Sequence, residues 1–212
     1  MEIMGDLMTS LQSTYDGFAD TYEANRGLFD MGPVFEDFWN GLGKERGDAL
    51  DLGCGAGEPF ARTFIERGWR VTGVDFSLRM LELAARYVPD MRRIHSDMSQ
   101  VEFAPHSFDA VTAIYSLFHL PRAQHPALFS NIQRWLRPGG KLLFTYATQH
   151  YTGEETFDGT KAFMGNPLYY SHDTPEQLRR QLAASGLEIE REDWREIGGE
   201  TFLWVTAINQ PS

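Results

Sequence analysis

The residues with the types and spacing to do chemistry gather between Ala49 and Gly57, ALDLGCGAG: a short apolar run, Asp51, then Gly53, Gly55 and Gly57 at alternate positions. A strand that ends at Asp51 and turns through these glycines into a helix brings bare backbone against a ligand, because glycine has no Cβ to block the approach. Such loops serve both dinucleotides and S-adenosylmethionine, so the flanking charge decides between them. A dinucleotide pyrophosphate rests on a helix N-terminus, where an anion is favoured. Asp51 would repel it. The same carboxylate attracts a methionyl ammonium by roughly 1 to 4 kcal/mol at effective dielectrics from bulk water to the protein surface. The dinucleotide fingerprint also asks for Gly or Ala three residues after its second glycine, where this chain has Glu58. The loop therefore reads as one for S-adenosylmethionine.

Further acids and rings follow at useful distances. Asp75 stands 24 positions after Asp51, the span from the end of one strand to the end of the next, and an acid there can accept both hydroxyls of an unphosphorylated ribose. It could equally cap the helix that begins near Ser77. Phe76 and Met80 can sandwich an adenine. Asp97 can accept from its amino group while the Met98 backbone reads the neighbouring ring nitrogen, the competing role for Asp97 being a helix cap. Cys54, inside the glycine loop, reads as packing. His119 and His172 are the candidate bases should an acceptor have to lose a proton, against the commoner structural role of a histidine. Tyr15, Ile114 and Tyr115 are expected along the cofactor side; Tyr22, His119, Tyr151 and Tyr170 are expected along the acceptor side. Tyrosine hydroxyls could orient an acceptor or simply close the edge of the core.

The elements that must hold these groups follow from the hydrophobic period. Met4, Leu7, Met8, Leu11, Tyr15, Phe18 and Tyr22 recur every three or four residues, predicting an N-terminal helix within 1–30 that lies on the core or forms a lid. Val34 to Leu42 is a second amphipathic helix. Strands are expected at 48–52, 70–74, 91–95, 108–115 and 141–146. Helices are expected at 59–67, from Ser77 to Val88, and at 126–136, with Ser77 as an N-cap and Pro138-Gly139-Gly140 as a turn. Residues 147–173 form a 27-residue stretch with no predicted element, long enough to suggest a functional insertion on the substrate side or a satellite cluster at one end of the sheet. Thr174, Pro175 and Gln177 make a capping box, and Gly186 ends that helix. Two strand-like runs, 187–195 and 201–209, joined through Gly198-Gly199, predict an antiparallel hairpin. Alternating strands and helices with short connections mean a doubly wound α/β sheet in one domain, 1–212.

Composition limits the partners. The 212 residues carry 19 basic and 30 acidic side chains, a formal charge of −11, which opposes docking on phosphate backbones or anionic membranes. The single cysteine excludes an intrachain disulfide and a cysteine-based zinc cluster. The first residues, MEIMGDLMTS, lack the positive charge of a signal peptide, and no run of about 18 apolar residues occurs, so a cytoplasmic location is expected.

ALDLGCGAG, VTGVDFS, HSDM, FDAVTAIYSLFHL and LRPGGKLLFTY follow one another in the order of the motifs of class I S-adenosylmethionine-dependent methyltransferases, and the chain resembles the small-molecule type of that family over essentially its whole length. The resemblance implies a Rossmann-like, seven-stranded, mostly parallel sheet with an antiparallel last strand and helices on both faces. It also implies S-adenosylmethionine as methyl donor and S-adenosylhomocysteine as product. Glu58-Pro59 after the last glycine departs from the commonest pattern. Absent motifs narrow the acceptor: no Asp-Pro-Pro-Tyr or Asn-Pro-Pro-Tyr for exocyclic amines of bases or for glutamine, no Pro-Cys for cytosine carbon-5, and no His and Asp set at metal-ligand spacing. A small organic acceptor is expected, with no metal, nucleic acid or membrane partner, in a monomer or homodimer. A module that binds S-adenosylmethionine without turnover is the alternative, and a nicotinamide oxidoreductase a remote third.

Overall fold

The computed structural model describes residues 11–17, 19, 21, 24 and 30–210. From Gly32 onward the elements run α1 (Gly32–Leu42), β1 (Asp48–Leu52), α2 (Phe60–Glu66), β2 (Arg70–Asp75), α3 (Leu78–Tyr87), β3 (Arg92–His95), β4 (Phe108–Ala113), α4 (His125–Trp135), β5 (Leu136–Tyr146), the short α5 (Gln149–Thr152), β6 (Phe157–Phe163), β7 (Asn166–His172), α6 (Pro175–Ser185), β8 (Leu187–Ile197) and β9 (Glu200–Asn209). Ahead of them, residues 11–17 are helical. Of the N-terminal stripe, Leu11 is buried and Tyr15 partly so, whereas Met4, Leu7, Met8, Phe18 and Tyr22 lie outside the described residues.

Seven strands form one sheet in the order β3-β2-β1-β4-β5-β9-β8. β3, β2, β1, β4 and β5 run parallel to one another, and β9 runs antiparallel between β5 and β8. The central strands are buried on both faces, which is why DALDL and FDAVTA read as near-continuous apolar runs. β3 sits at the edge and keeps its arginines exposed. One face packs Phe35, Phe38, Phe60, Phe64 and Trp69 from the α1 and α2 side; the other packs Leu128, Phe129, Ile132 and Trp135 of α4 with Leu178 and Leu182 of α6. Helices thus cover both faces, the doubly wound arrangement the sequence implies. Among the described residues no helix is long and apolar enough to cross a membrane.

The caps follow the sequence reading. Ser77 Oγ accepts from the Met80 amide at 3.1 Å, Thr174 Oγ1 accepts from the Gln177 amide at 3.1 Å, and Gly186 closes α6 with φ 85°. Gly198 and Gly199, with φ of 65° and 80°, make the two-residue turn between β8 and β9 that only a left-handed backbone allows.

Three local expectations need correction. Pro59 lies just before α2, as its N-cap residue, and not inside it. Pro138-Gly139-Gly140 interrupts β5 as a bulge: Phe108 faces Leu136 and Ala110 faces Lys141, so the extra residues loop out within the strand. The stretch 147–173 is largely regular, with α5 and an antiparallel hairpin pairing Phe157 with His172 and Phe163 with Asn166. Its β6 strand alternates half-buried and exposed side chains, a period-two signal that intervening glycines and charges hide in the sequence.

Asp109 ties the far end of the sheet together. Buried at 6% exposure, its carboxylate accepts from Lys44 Nζ at 2.5 Å, from the Asp48 amide at 3.0 Å and from Arg137. Burial opposes its charge, but these partners outweigh it and hold the group below the usual carboxylate range. An acid with a depressed folded pKa stabilises above its unfolded pKa and loses that contribution as pH falls through the folded value. Asp109→Ala should therefore cost about 2 kcal/mol in urea unfolding at pH 7, the scale of charged hydrogen bonds, and the difference from wild type should shrink below about pH 4.

Candidate active site

Register places the site. Asp51 of β1 lies level with Gly73 of β2 and Thr112 of β4, so the carboxyl ends of three adjacent parallel strands open together, on the two sides of β1 where the chain order reverses. Ligands in open α/β sheets bind in the crevice at such a switch point.

The glycine loop bends back on β2, with the Gly53 and Cys54 amides donating to Val74 O at 2.8 and 3.0 Å. At Gly53, φ is 74°, and a Cβ would fall 2.2 Å from Ser116 Cβ, so only glycine fits between β1 and the segment after β4. Gly55, with φ 52°, has no atom within 4 Å of the place a Cβ would take; the space over its backbone is open to a ligand. Its amide donates to Asp75 Oδ2 at 2.8 Å while Ser77 N donates to Asp75 Oδ1 at 2.8 Å. Asp75 thus orders the loop and the entry to α3, and it also lines the cleft. Asp51 accepts from Thr112 Oγ1 at 2.6 Å.

Three adjoining cavities make one cleft. At one end Met31, Asp51, Cys54, Glu58 and Phe60 meet Gly53 and Gly55. In the middle lie Asp75, Phe76, Met80, Ile114, Tyr115, Ser116, His119 and Tyr15. At the far end are Phe76, Asp97, Met98 and Leu120. Each sequence-predicted cofactor residue therefore lines the cleft. Asp97 does not take the competing role of a helix cap, since no helix begins there; its Oδ1 accepts from the Ser99 amide at 2.8 Å in a turn. Cys54 is buried and its thiol is pushed well up by burial and by Asp75 and Asp51, so it stays protonated and packs.

The donor set suits a molecule with a cationic amine, a diol and a purine: one acid for each in chain order, aromatic and sulfur atoms at the purine end, and no described cation in the lining to hold a phosphate. The residues present thus fit S-adenosylmethionine.

His119 and His172 part company. His119 Nδ1 lies 2.6 Å from Tyr169 O, and a carbonyl only accepts, so Nδ1 carries the proton; Nε2 is left to accept from Tyr15 Oη at 2.7 Å. Burial pushes the imidazole down to about 4, and it is neutral at pH 7. His172 ends β7 and is fully buried, paired with Phe157 across the β6–β7 hairpin, with Nε2 2.8 Å from Thr152 Oγ1 and its ring stacked on Phe157; it does not line the cleft. The candidate base role for His172 has no support in its position: as a strand residue of the hairpin that the sequence did not show, it packs against Thr152, Tyr146 and Phe157.

A fourth cavity joins the cleft at Tyr15 and Tyr115 and is lined further by Phe118, Phe163, Tyr170, Glu200 and Phe202. Tyr115 has a left-handed backbone, φ 52°, fixed by its amide donating to Thr145 Oγ1 at 2.6 Å, and its ring meets Phe202 edge-on at 5.3 Å. Tyr170 stands in this cavity as expected; Tyr151 packs behind it, hydroxyl to hydroxyl at 3.1 Å. Tyr22 lies outside the described residues. Sequence reasoning gave no role to Thr112, Ser116 and Phe118, although they lie inside FDAVTAIYSLFHL, and missed Glu200 and Phe202, which lie in no motif. An alternation signal in TFLWVTA, placing Phe202 and Trp204 on one face, was the nearest available clue.

Fold and cleft together define a nucleoside-binding, Rossmann-like α/β protein with its site at the switch point of the sheet. Residues 49–140 match the methyltransferase domain family. The chain is 30% identical over 165 residues to YqeM of Bacillus subtilis (strain 168), which carries a methyltransferase name, covering 74% of this chain and 64% of that protein. It is 28% identical to the demethylmenaquinone methyltransferase of Beutenbergia cavernae, covering 87% of this chain and 82% of the enzyme. In fold it is similar to the 1,6-didemethyltoxoflavin-N1-methyltransferase of Burkholderia thailandensis, with a TM-score of 0.74, 21% identity and coverage of 99% and 89% of the two chains. An S-adenosylmethionine-dependent methyltransferase of Mesorhizobium loti gives a TM-score of 0.69 at 21% identity, covering 84% of this chain and 97% of that one. Residues 49–140 thus resemble a methyltransferase domain, on a sheet that S-adenosylmethionine-dependent methyltransferases of known structure share.

The acids of the cleft set its pH dependence. Burial pushes Asp51 and Asp75 each up to about 6, against the Thr112, Ser77 and Gly55 hydrogen bonds, and each raises the other or is raised by a neighbouring aspartate. Acids raised in the fold cost stability as pH climbs above the unfolded value near 4, and the cost is complete above about 6. A cationic ligand relieves it. Titration with S-adenosylhomocysteine should show affinity rising about tenfold from pH 5 to pH 7 with proton release near pH 6, and a larger melting shift at pH 7 than at pH 5. A flat profile would remove the carboxylates from cofactor binding.

Proposed function

We propose that this protein transfers the methyl group of S-adenosylmethionine to a small organic molecule held in the aromatic cavity beside the cofactor cleft. The observation that carries the reading is the shared wall: Tyr15 and Tyr115 line both cavities, so a donor in one and an acceptor in the other would meet between them. When bound, the sulfonium supplies an electrophilic methyl group, whose carbon bonds to the acceptor's lone pair as the carbon–sulfur bond breaks and leaves its electron pair on sulfur.

The protein's part is alignment and the exclusion of water, which in well-oriented systems is worth roughly 7 to 11 kcal/mol. Asp51 is placed to hold the amine end, Asp75 the ribose, and Asp97 with Met98 and Phe76 the adenine. Tyr15 stands at the junction, and His119 positions it: the neutral imidazole, locked as the Nδ1–H tautomer by Tyr169 O, accepts the Tyr15 proton and so fixes the direction of its hydroxyl. A histidine pushed down to about 4 is a weak base. Its contribution lies in orientation. Asp16, one residue on, accepts from Ser77 Oγ and from the Arg79 amide, which fastens the helical segment 11–17 across the start of α3. That fastening supports the reading of the N-terminal helix as a lid. The β6–β7 hairpin supplies Phe163 and Tyr170 to the acceptor side, in keeping with a substrate-side role for 147–173. The similarity to a demethylmenaquinone methyltransferase and a toxoflavin-precursor methyltransferase favours a small-molecule acceptor, as does the acidic balance of the chain.

Calorimetric titration with S-adenosylmethionine and S-adenosylhomocysteine is the first test, and micromolar binding of both is expected. Absence of binding by folded protein would overturn the reading. Once an acceptor is found, Tyr15→Phe and His119→Ala should each lower kcat by tenfold or more while leaving S-adenosylhomocysteine affinity within about threefold. Equal losses in both quantities would make the pair part of cofactor binding instead.

A further inference from the structure

We propose that the acceptor carries a cationic or N–H-bearing nitrogen, held by Glu200 and the Tyr170 hydroxyl in a box of aromatic rings. The proposal rests on the methyl-transfer reading and adds to it the chemical class of the substrate.

Phe118 is the floor of the box. It stacks on Tyr170 at 5.2 Å and 22° and on Phe202 at 5.1 Å and 17°, so three rings from the segment after β4, from β7 and from β9 lie nearly parallel. Tyr115 closes one side edge-on to Phe202, and Tyr15 closes the side toward the cofactor. Stacked rings shield the cavity from water and give it apolar walls, so the charge that enters it is decided by its one carboxylate and by whatever ring edge or face is left open.

Glu200 is the one charged side chain lining this cavity among the described residues. It enters from the first position of β9, directly after the Gly198-Gly199 turn, and the Tyr151 hydroxyl bonds to it. Lys161 acts on it from β6 but is engaged elsewhere, its Nζ donating to Tyr151 O at 2.7 Å and lying 4.8 Å over the Tyr151 ring. Burial raises Glu200 above its ordinary range despite these two partners. An opposite charge in the cavity would relieve that cost; a carboxylate or phosphate would face Glu200 in a poorly solvated space and be rejected. The Tyr170 hydroxyl, itself buried and bonded to Tyr151, completes a polar edge on an otherwise apolar box. Aromatic faces and one carboxylate together select for nitrogen and against anions.

Three probes with one ring and three charges test this: tyramine, 4-ethylphenol and 4-hydroxyphenylacetate, titrated calorimetrically into protein saturated with S-adenosylhomocysteine. Tyramine should bind at least tenfold more tightly than 4-hydroxyphenylacetate, with 4-ethylphenol between them. Glu200→Gln should narrow that gap at least tenfold while S-adenosylhomocysteine affinity stays unchanged, which also shows that the variant is folded. No preference among the probes, a preference for the anion, or a preference that survives Glu200→Gln would each overturn the proposal. Failure of S-adenosylhomocysteine itself to bind would count against the methyl-transfer reading instead; the same series on unliganded protein then decides the charge preference alone.

Discussion

Two carboxylates buried side by side at the ends of adjacent strands are the constraint on which this molecule is arranged. Asp51 and Asp75 are each only 7% exposed, and a buried charge is tolerated only where hydrogen bonds or a counter-ion meet it. The fold supplies part of that: Thr112 to Asp51, and the Gly55 and Ser77 amides to Asp75. The remainder is left to the ligand. That deficit suits the cleft to a ligand carrying an ammonium group and hydroxyls, and the glycine loop, the α3 cap and the register of β1 with β2 and β4 all meet there within a few residues.

The acceptor side is built on a different principle. Its walls come from four separate parts of the chain, the segment 11–17, the turn after β4, the β6–β7 hairpin and β9, brought together by rings in contact and by few polar bonds. His119 shows how these parts are locked: one nitrogen binds the backbone of β7 and the other binds Tyr15, so the imidazole joins three segments that are 104 and 50 positions apart. Packing of this kind gives specificity through shape, while the single carboxylate at its edge gives it through charge. The division between a strand-end cofactor cleft and a cavity made of later insertions lets one sheet serve many acceptors.

Much was legible in the sequence because it is local. The glycine loop, the acid closing β2, the caps at Ser77 and Thr174, the Gly198-Gly199 turn and the alternation of strands with helices all depend on neighbours within a few positions, and each was found where the chain placed it. So was the doubly wound sheet with its antiparallel last strand, since short connections leave few other topologies. What the sequence alone could not decide rests on contacts between distant positions. The hairpin within 147–173 was concealed because one of its strands is half exposed and carries no apolar run. His119 and His172 look alike as letters; only the tertiary structure sets one against Tyr15 at the cleft and builds the other into the hairpin, against Thr152 and Phe157. Glu200 and Phe202 belong to an unremarkable strand until β9 inserts beside β5, and then they line the aromatic cavity beside the cleft. Local backbone preference and hydrophobic period determined the sheet and the cofactor loop; the meeting of remote side chains in a low-dielectric space decided the acceptor pocket, and no spacing in the sequence records that meeting.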